Sequence, residues 1–206
     1  MDLKKTIERG PSRMPASERR QLIVEKAFSL IASEGFEGFR TQSVADASGV
    51  TGATLHYYFP SKQDLVEAVA NHLANRYANE RAPYTNPTEV APNSLGQLRR
   101  QFDDVEFYAL HRPELLAVSR EFLLRATRDP AVARVVKPLN EHWRGDFETI
   151  LRIGLREKVF KHDLDPLATS AIIVGALWGA NSLFQCTSEE LRKLFSEIER
   201  LITVSE

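Results

Sequence analysis

The sequence predicts an all-α protein with a small N-terminal three-helix head, joined by a fourth helix to a larger helical body. Apolar residues recur at helical spacing in most segments of the 206-residue chain. No alternating apolar and polar stretch of useful length predicts a strand, and no repeat is visible. We therefore divide the chain into an N-terminal tail (1–16), a three-helix head (17–62) and a larger helical body (63–206).

Helix boundaries are marked by capping residues, prolines and glycines. Gly35 and Gly49 are expected to end helices one and two, because glycine readily takes a positive φ. Asp64 completes a capping box for helix four. Prolines within 81–94 predict a loop, and Pro138 is expected to kink the long seventh helix. The residues that open or cap the predicted helices are Ser17, Thr41, Thr51, Ser61, Pro113, Asp129, Asp165 and Ser188.

Composition excludes several classes of protein. The net charge is −1, so the whole chain is not a general polyanion binder. Residues 1–62 carry nine Lys/Arg against seven Asp/Glu, a weak bias towards DNA. The single cysteine, Cys186, excludes an internal disulfide framework and indicates a reducing compartment, so we expect a cytoplasmic protein. The histidines lack metal-ligand spacing, and no catalytic or phosphate-loop motif is present, so no metal, cofactor or enzymatic activity is predicted.

Two segments have alternative interpretations. The tail carries Lys4, Lys5, Arg9 and Arg13, and it is either a solvated end or a basic arm that touches DNA phosphates or the minor groove. The stretch 167–188 is uncharged, but polar residues interrupt it and basic flanks are absent. We therefore expect a helix buried on nearly all sides rather than a membrane span.

Residues 41–62 have the pattern of a helix-turn-helix, with small residues at the start of the third helix and aromatic residues behind them. Such a helix can approach the major groove closely, while hydroxyl groups and a lysine hold the phosphate backbone. Tyr58 could instead pack against helix one, and Leu55 and Phe59 are expected in the core. The candidate DNA-binding residues are Thr41, Thr51, Gly52, Thr54, His56, Tyr57, Tyr58 and Lys62.

This head resembles the tetracycline-repressor (TetR) family of transcriptional regulators. The resemblance covers about residues 17–73 and rests on the motifs Glu34-Gly35-Phe36, Val44-Ala45, Ser48-Gly49-Val50, Thr54-Leu55 through Phe59, Ser61-Lys62 and Asp64-Leu65. Ala53 and His56 depart from the Gly and Tyr that are usual in the family, and Tyr58 stands where His is common. The resemblance implies a homodimer that binds a palindromic DNA operator, and a body that binds a small effector and thereby changes DNA affinity.

The body contains aromatic residues, with polar residues among them, that could line an effector pocket. For each aromatic residue alone, an ordinary place in the core is the alternative, and for Glu106 the alternative is a solvated face. The candidate pocket residues are Phe102, Glu106, Phe107, Phe122, His142, Trp143, Phe147, Trp178 and Asn181.

Small residues four positions apart in helix eight favour a close helix crossing in a dimer interface, together with apolar residues of helix nine. Packing of helix eight against helix nine within one chain is the alternative. The candidate interface residues are Ala171, Gly175, Gly179, Leu191, Leu194, Phe195 and Ile198.

The leading hypothesis is a ligand-responsive DNA-binding regulator, most simply a homodimeric repressor released by a small hydrophobic effector. Two alternatives stay open. One is a small-molecule-binding or scaffold protein whose head does not bind DNA, and the other is a TetR-like regulator triggered by a partner protein.

Overall fold

The computed structural model describes residues 14–80, 93–184 and 186–204. Within these residues the chain is helical, without strands, which confirms the all-α fold class. A π-helical turn, Ala180–Phe184, follows the eighth helix. Residues 1–13 of the predicted tail and most of the predicted proline-containing loop lie outside the described residues. The helices are α1 (Ala16–Gly38), α2 (Thr41–Ser48), α3 (Gly52–Tyr58), α4 (Lys62–Asn79), α5 (Ser94–His111), α6 (Pro113–Ala126), α7 (Pro130–Arg156), α8 (Pro166–Gly179) and α9 (Ser188–Ile202).

Most of the predicted caps and turns are confirmed. Gly35 and Gly49 take φ of +66° and +64°. Gly35 interrupts α1, and one further helical turn follows it. Ser61 and Asp64 form the expected capping box at the start of α4. Asp129 caps α7, as Asp165 caps α8, each by accepting bonds from backbone N–H groups.

Two cap predictions were wrong. Arg40, in an extended conformation, is the N-cap of α2, so Thr41 is the first helical residue. Pro15 rather than Ser17 precedes α1. Ser188 opens α9 as predicted, with Thr187 as its cap. α7 continues through Pro138 as one helix. Pro138 lies on the exposed side, where water can satisfy the carbonyl group that loses its N–H partner.

Two hydrophobic cores organise the molecule. The first contains the apolar residues of α1–α4 and continues into α6 and the start of α7, where Phe122 and Val132 are fully buried. The second lies between α5, α7, α8 and α9, around Phe102 and Phe147. The head therefore packs directly on α6, which positions it relative to the body.

α8 is buried on one side only, which corrects the expectation of a helix covered on nearly all sides. Ile173 and Leu177 face the second core. Ala171 and Gly175 are exposed, and 71% of Ile172 is exposed, although the helix carries no charge. No helix in the described ranges is long and apolar enough to cross a membrane.

Candidate nucleic-acid interface and body site

The turn between α2 and α3 is built by local backbone bonds. Gly49 takes a left-handed conformation, and its N–H donates to carbonyl groups at the end of α2. The Thr51 hydroxyl then accepts the N–H of Thr54 at 3.1 Å and caps α3. Leu55 and Phe59 are about 1% exposed and hold the inner face of α3 on the head core, as predicted. The opposite face of α3 is thereby turned outward.

The outer face of α3 carries the residues expected to meet DNA. Tyr57 is 79% exposed, which is exceptional for a large aromatic side chain, and His56 is exposed beside it. A Cβ atom built at Gly52 would meet nothing within 4 Å, so this end of α3 is open to close approach. The hydroxyl groups of Thr51 and Thr54 lie 2.9 Å apart on the same turn.

Tyr58 differs from its neighbours because it is half-buried. Its ring meets the ring of Tyr57 edge-on, with 5.2 Å between the centroids, and also packs against the head core. Tyr58 therefore has a packing role in the head and supports Tyr57 from the side, and its position on helix one in particular stays a prediction.

Positive charge is concentrated where α2 and α4 begin. Burial lowers the pKa of Lys62 below its ordinary value, and the nearby guanidinium groups of Arg125 and Arg40 lower it further. The Lys62 amine also lies 5.1 Å from the centroid of the Phe39 ring. Thr41, at the first position of α2, has one of the backbone N–H groups that find no partner within a helix. These groups together favour an anion beside them.

Sequence reasoning missed the contribution of Arg40. This exposed residue directly precedes Thr41, and its charge acts on Lys62. The signal that could have found it is its position just before a predicted helix start, where a cation and unpaired N–H groups can meet the same phosphate.

A groove of about 630 Å³ lies between the start of α1 and the outer face of α3. Of this proximity, sequence reasoning considered only packing of Tyr58 against helix one, because helical periodicity does not reveal which helix ends meet in space. The groove brings Thr54, Tyr57 and Tyr58 together with residues that were not among the candidates. The lining residues are Met14, Ala16, Arg19, Ala53, Thr54, Tyr57 and Tyr58.

In the body, the structure brings together four of the nine pocket candidates. Phe102 and Phe147 are buried with their ring centroids 6.3 Å apart. Trp143 contacts Phe147 edge-on at 5.7 Å and lies 6.3 Å from Trp178, with both indole rings half-buried. Phe195 of α9 stacks on Phe102 at 4.6 Å. The inner part of this aromatic cluster is ordinary core, and its two tryptophans are accessible.

Three other candidates lie elsewhere. Phe122 is fully buried in the first core and contacts Phe36 at 5.1 Å, because α6 packs on the head. Phe107 stacks on His111, one helical turn later, at 4.9 Å. The side chain of His142 is 84% exposed and lies 3.9 Å from Asp146. Placing these three in a common pocket with Trp143 was therefore wrong.

Glu106 and Asn181 have structural partners. The side chain of Glu106 is only 13% exposed and accepts bonds from Ser188 and Arg192, so it links α5 to α9. It is therefore not on a solvated face. The Asn181 amide donates to the carbonyl group of Leu177 at 3.0 Å. The cleft at Leu95, Arg99 and Lys158, like the groove beside α3, is lined by none of the nine pocket candidates.

The dimer-interface candidates also separate into two groups. On α8, a Cβ atom at Gly175 or Gly179 would meet nothing within 4 Å, so packing within the protomer does not require these glycines. On α9, Leu191, Phe195 and Ile198 are buried in the protomer's own second core, and Leu194 packs against it. The expectation for α9 was wrong because its apolar face is used to cover α5.

α6 connects the head to the body through neighbouring residues. The carboxylate of Glu121 accepts the Phe36 N–H at 3.0 Å, just after the interruption at Gly35. Arg120 donates to the carbonyl oxygen of Asn181 in the π-helical turn at 3.1 Å. Two consecutive residues of α6 therefore contact the head and the segment that follows Trp178.

α4 is held at both ends. Near its start, the Gln63 amide donates to Asp129 at 3.1 Å. Near its end, Arg76 bonds Glu80 and also Glu114 of α6, at 2.8 Å for the latter. Burial raises the pKa of Tyr77, in the same turn, to about 12. A movement of α6 or of the start of α7 would therefore act on α4 and on the head.

The helix α3 follows a tight glycine turn, its outer face is exposed, and the head that contains it packs on a helical body. This arrangement is that of a helix-turn-helix DNA-binding protein. The sequence profile of the family described as "Bacterial regulatory proteins, tetR family" matches residues 23–69. The match places residues 23–69 of this chain in the DNA-binding domain of the TetR family of transcriptional regulators.

Curated relatives and solved structures agree with this assignment. The repressor KstR2 of Mycolicibacterium smegmatis is 26% identical over 155 residues, which are 73% of this chain and 71% of the relative. A transcriptional regulator of Saccharomonospora viridis, solved in complex with choline, has a TM-score of 0.77 at 22% identity, over 92% of this chain and all of its own. The ketosteroid transcriptional regulator KstR2 of Mycobacterium tuberculosis has a TM-score of 0.67 at 18% identity, over 96% of this chain and all of its own.

Proposed function

We propose that the chain is a homodimeric transcriptional repressor that binds a palindromic operator in the cytoplasm and is released by a small hydrophobic effector. The observation that carries the proposal is the outer face of α3. Tyr57 is 79% exposed there, beside open small residues, and Arg40 and Lys62 place positive charge at the starts of α2 and α4. Packing within the protomer does not account for an aromatic side chain that is so exposed.

In this proposal, α3 enters the major groove and its flanks hold the backbone. Thr41 and Lys62 contact one phosphate strand, with Arg40 beside them. Tyr57 donates its hydroxyl to a phosphate across the groove, and Gly52 and Thr54 lie against base edges, where methyl and hydroxyl groups can contact thymine and polar base atoms. His56 is exposed on the same face and can donate to a further phosphate.

A homodimer is supported by the exposed apolar side of α8. Leu167 is 48% exposed and Ile172 71% exposed, with Gly175 on the same surface. A second copy of α8 in a two-fold arrangement would cover this surface, and the small residues would allow the two helices to cross closely. The outward side of α8, rather than the buried side of α9, is therefore the proposed centre of the interface.

The proposed effector site lies at the two accessible tryptophans. Trp143 and Trp178 form the edge of the aromatic cluster, and the π-helical turn begins two residues after Trp178. Such turns are often found at functional sites, because they shift side chains and free carbonyl groups from regular bonding. A structural neighbour binds choline and another is named for ketosteroids, so these two compounds are the first probes.

Coupling between effector and DNA would use α6. An effector at Trp178 alters the π-helical turn, whose Asn181 carbonyl oxygen is held by Arg120, and the next residue, Glu121, holds the head at Phe36. In this proposal α6 has one arrangement that binds DNA and another that does not, and the effector acts by binding the second more tightly. DNA must then weaken effector binding by the same factor by which the effector weakens DNA binding.

The DNA-binding proposal is tested by selecting duplexes from a random-sequence pool. The expected product is a family of two-fold symmetric sequences that the chain binds with nanomolar affinity. Tyr57→Phe, which removes only one hydroxyl group, should weaken binding to them several-fold while leaving the melting temperature unchanged. No enrichment would contradict DNA recognition, and enrichment of sequences without symmetry would contradict the dimeric mode.

The effector proposal is tested with the selected duplex, by measuring release in the presence of choline or a ketosteroid. Trp143→Ala should blunt release by an active compound and leave affinity for DNA without the compound within several-fold. Phe107→Ala is the matched control, because Phe107 is an aromatic residue of the body that lies outside the cluster. Equal loss of response in both variants would contradict an effector site at Trp143.

A further inference from the structure

The body places a cation beside the positive charges of the head. Arg125 lies in the last turn of α6, whereas Lys62 opens α4. Burial lowers the pKa of Lys62, and among the charges that lower it further Arg125 ranks before Arg40 of the head. The guanidinium group of Arg125 and the amine of Lys62 are therefore close enough to repel each other, although they belong to different parts of the molecule.

Two touching phenylalanine rings hold these cations side by side. The amine of Lys62 lies 5.1 Å from the centroid of the Phe39 ring. The guanidinium group of Arg125 lies 4.8 Å from the centroid of the Phe36 ring. Phe36 and Phe39 meet edge-on with their centroids 5.8 Å apart, and each ring attracts the cation on it. Phe36 also meets Phe122 of α6 at 5.1 Å, so the ring beside Arg125 is fixed by the head and by the body.

Asp129 orients Arg125 and leaves most of the positive charge in place. Nε of Arg125 donates to Oδ2 of Asp129 at 3.1 Å. The other oxygen of Asp129 caps α7 and accepts from Gln63, the neighbour of Lys62, at 3.1 Å. The two terminal amino groups of Arg125 form no hydrogen bond with a described residue, and its side chain is 32% exposed. Arg40 and Lys62 are exposed, and neither forms an ion pair within the described ranges.

Three cations that share one carboxylate make a site for an anion. Their mutual repulsion costs free energy in the unbound protein, and a bound phosphate relieves it. A guanidinium group suits phosphate because it donates two parallel bonds to two oxygens. The alternative is that Arg125 only forms an ion pair with Asp129 across one helical turn. That pair lies wholly within the body, so it does not explain why the guanidinium group lies beside the cations of the head.

We propose that Arg125, Lys62 and Arg40 form one phosphate site, built jointly by the body and the head. The inference rests on the proposed DNA-binding function and extends it, because a residue of the body then contacts the operator. On α6, Arg125 follows Arg120 and Glu121 by about one turn. A movement of α6 relative to α4 would therefore alter the phosphate site directly.

The shared site is tested first without DNA, by following the Lys62 amine of the full chain in an NMR titration over pH. Arg125→Gln should raise the pKa of Lys62, because it removes a charge that lowers this pKa. Arg112→Gln is the matched control. Arg112 also lies over a phenylalanine ring and pairs with an acid, Glu80 at 3.0 Å, but its charge does not act on Lys62. The same pKa of Lys62 in the unaltered chain and in Arg125→Gln would overturn the inference.

Contact with DNA is tested by fluorescence anisotropy on a selected duplex over a series of salt concentrations. Arg125→Gln should weaken binding by about tenfold or more, because one charge-assisted bond is lost at each half-site. It should also lower the salt slope of log K, whereas Arg125→Lys, which keeps the charge, should retain most of the slope. Arg112→Gln should match the unaltered chain. Equal weakening by Arg125→Gln and Arg125→Lys, with the slope unchanged in both, would make Arg125 a structural residue and overturn the inference.

A Lys62→Ala background separates the inference from the function on which it rests. Arg125→Gln should weaken binding several-fold less in this background than alone, because the two side chains hold the same phosphate. An equal effect in both backgrounds would contradict a common phosphate. If Lys62→Ala weakened binding and Arg125→Gln did not, the proposed function would stand and the shared site would fail. If the unaltered chain bound no selected duplex, the proposed function would fail, and the shared site with it.

Discussion

Replacing Gly175 by leucine should separate the dimer without harming the protomer. A Cβ atom at this position meets nothing within 4 Å in the protomer, and the residue is exposed. Within the protomer, the change therefore only removes a glycine from a helix interior, which stabilises it by up to about 1 kcal/mol. In the proposed interface the same side chain lies where two helices cross closely.

The expected cost to the dimer follows from overpacking. Extra methylene groups in a packed contact cost roughly 1–3 kcal/mol per site. Two-fold symmetry presents the leucine twice, so the dimer should lose roughly 2–6 kcal/mol, which is about 30-fold to 10⁴-fold in the dissociation constant. The readout is the mass in solution by light scattering over a dilution series, together with the melting temperature of the protomer.

Gly145→Leu is the matched control, because its Cβ atom also meets nothing within 4 Å but the residue lies on α7. It should give the same gain in helix stability and leave the dissociation constant unchanged. A Gly175→Leu variant that dimerised as tightly as the unaltered chain, or more tightly, would refute a close crossing at this glycine.

Three further results are expected. Lys62→Ala should weaken binding to the selected duplex and lower the salt slope by about one for each phosphate that the lysine neutralises, whereas an unchanged slope would remove this lysine from the interface. Gly154→Ala should lower the free energy of urea unfolding by roughly 1–3 kcal/mol, because the added Cβ atom would run into the Phe160 ring, whereas Gly145→Ala should not. Burial lowers the pKa of His72 below its ordinary value of 6.5, so His72 takes up a proton at a higher pH in the unfolded chain than in the folded chain. The free energy of unfolding should therefore fall as the pH drops below about 6.5. A His72→Gln variant with the same pH dependence of unfolding would contradict that assignment.

The sequence was most informative where structure is decided locally. A positive φ at Gly35 and Gly49, the caps at Thr51 and Asp129, and the buried face of α3 all depend on residues within one or two turns of each other. Such patterns can be interpreted one helix at a time. The helix-turn-helix head and most helix boundaries therefore agreed with expectation.

The errors concern which element each apolar helix face packs against. Periodicity shows that Phe122 and Phe195 lie on apolar faces, but not that one meets the head and the other meets Phe102. In the same way, His142 shares a helix with Trp143 but points to solvent. The uncharged α8 appeared to require full burial, although only one of its sides is covered within the protomer.

The central claim is that two copies of α3 occupy successive major grooves of one operator. Hydroxyl-radical footprinting of the unaltered chain on a selected duplex tests it most directly. The account predicts two protected patches on one face of the DNA, related by two-fold symmetry and centred about 34–36 Å apart or a multiple of that distance. Both patches should disappear together in the Gly175→Leu variant at concentrations where that variant is monomeric. A single asymmetric patch, or protection that persists in the monomer at both half-sites, would contradict it.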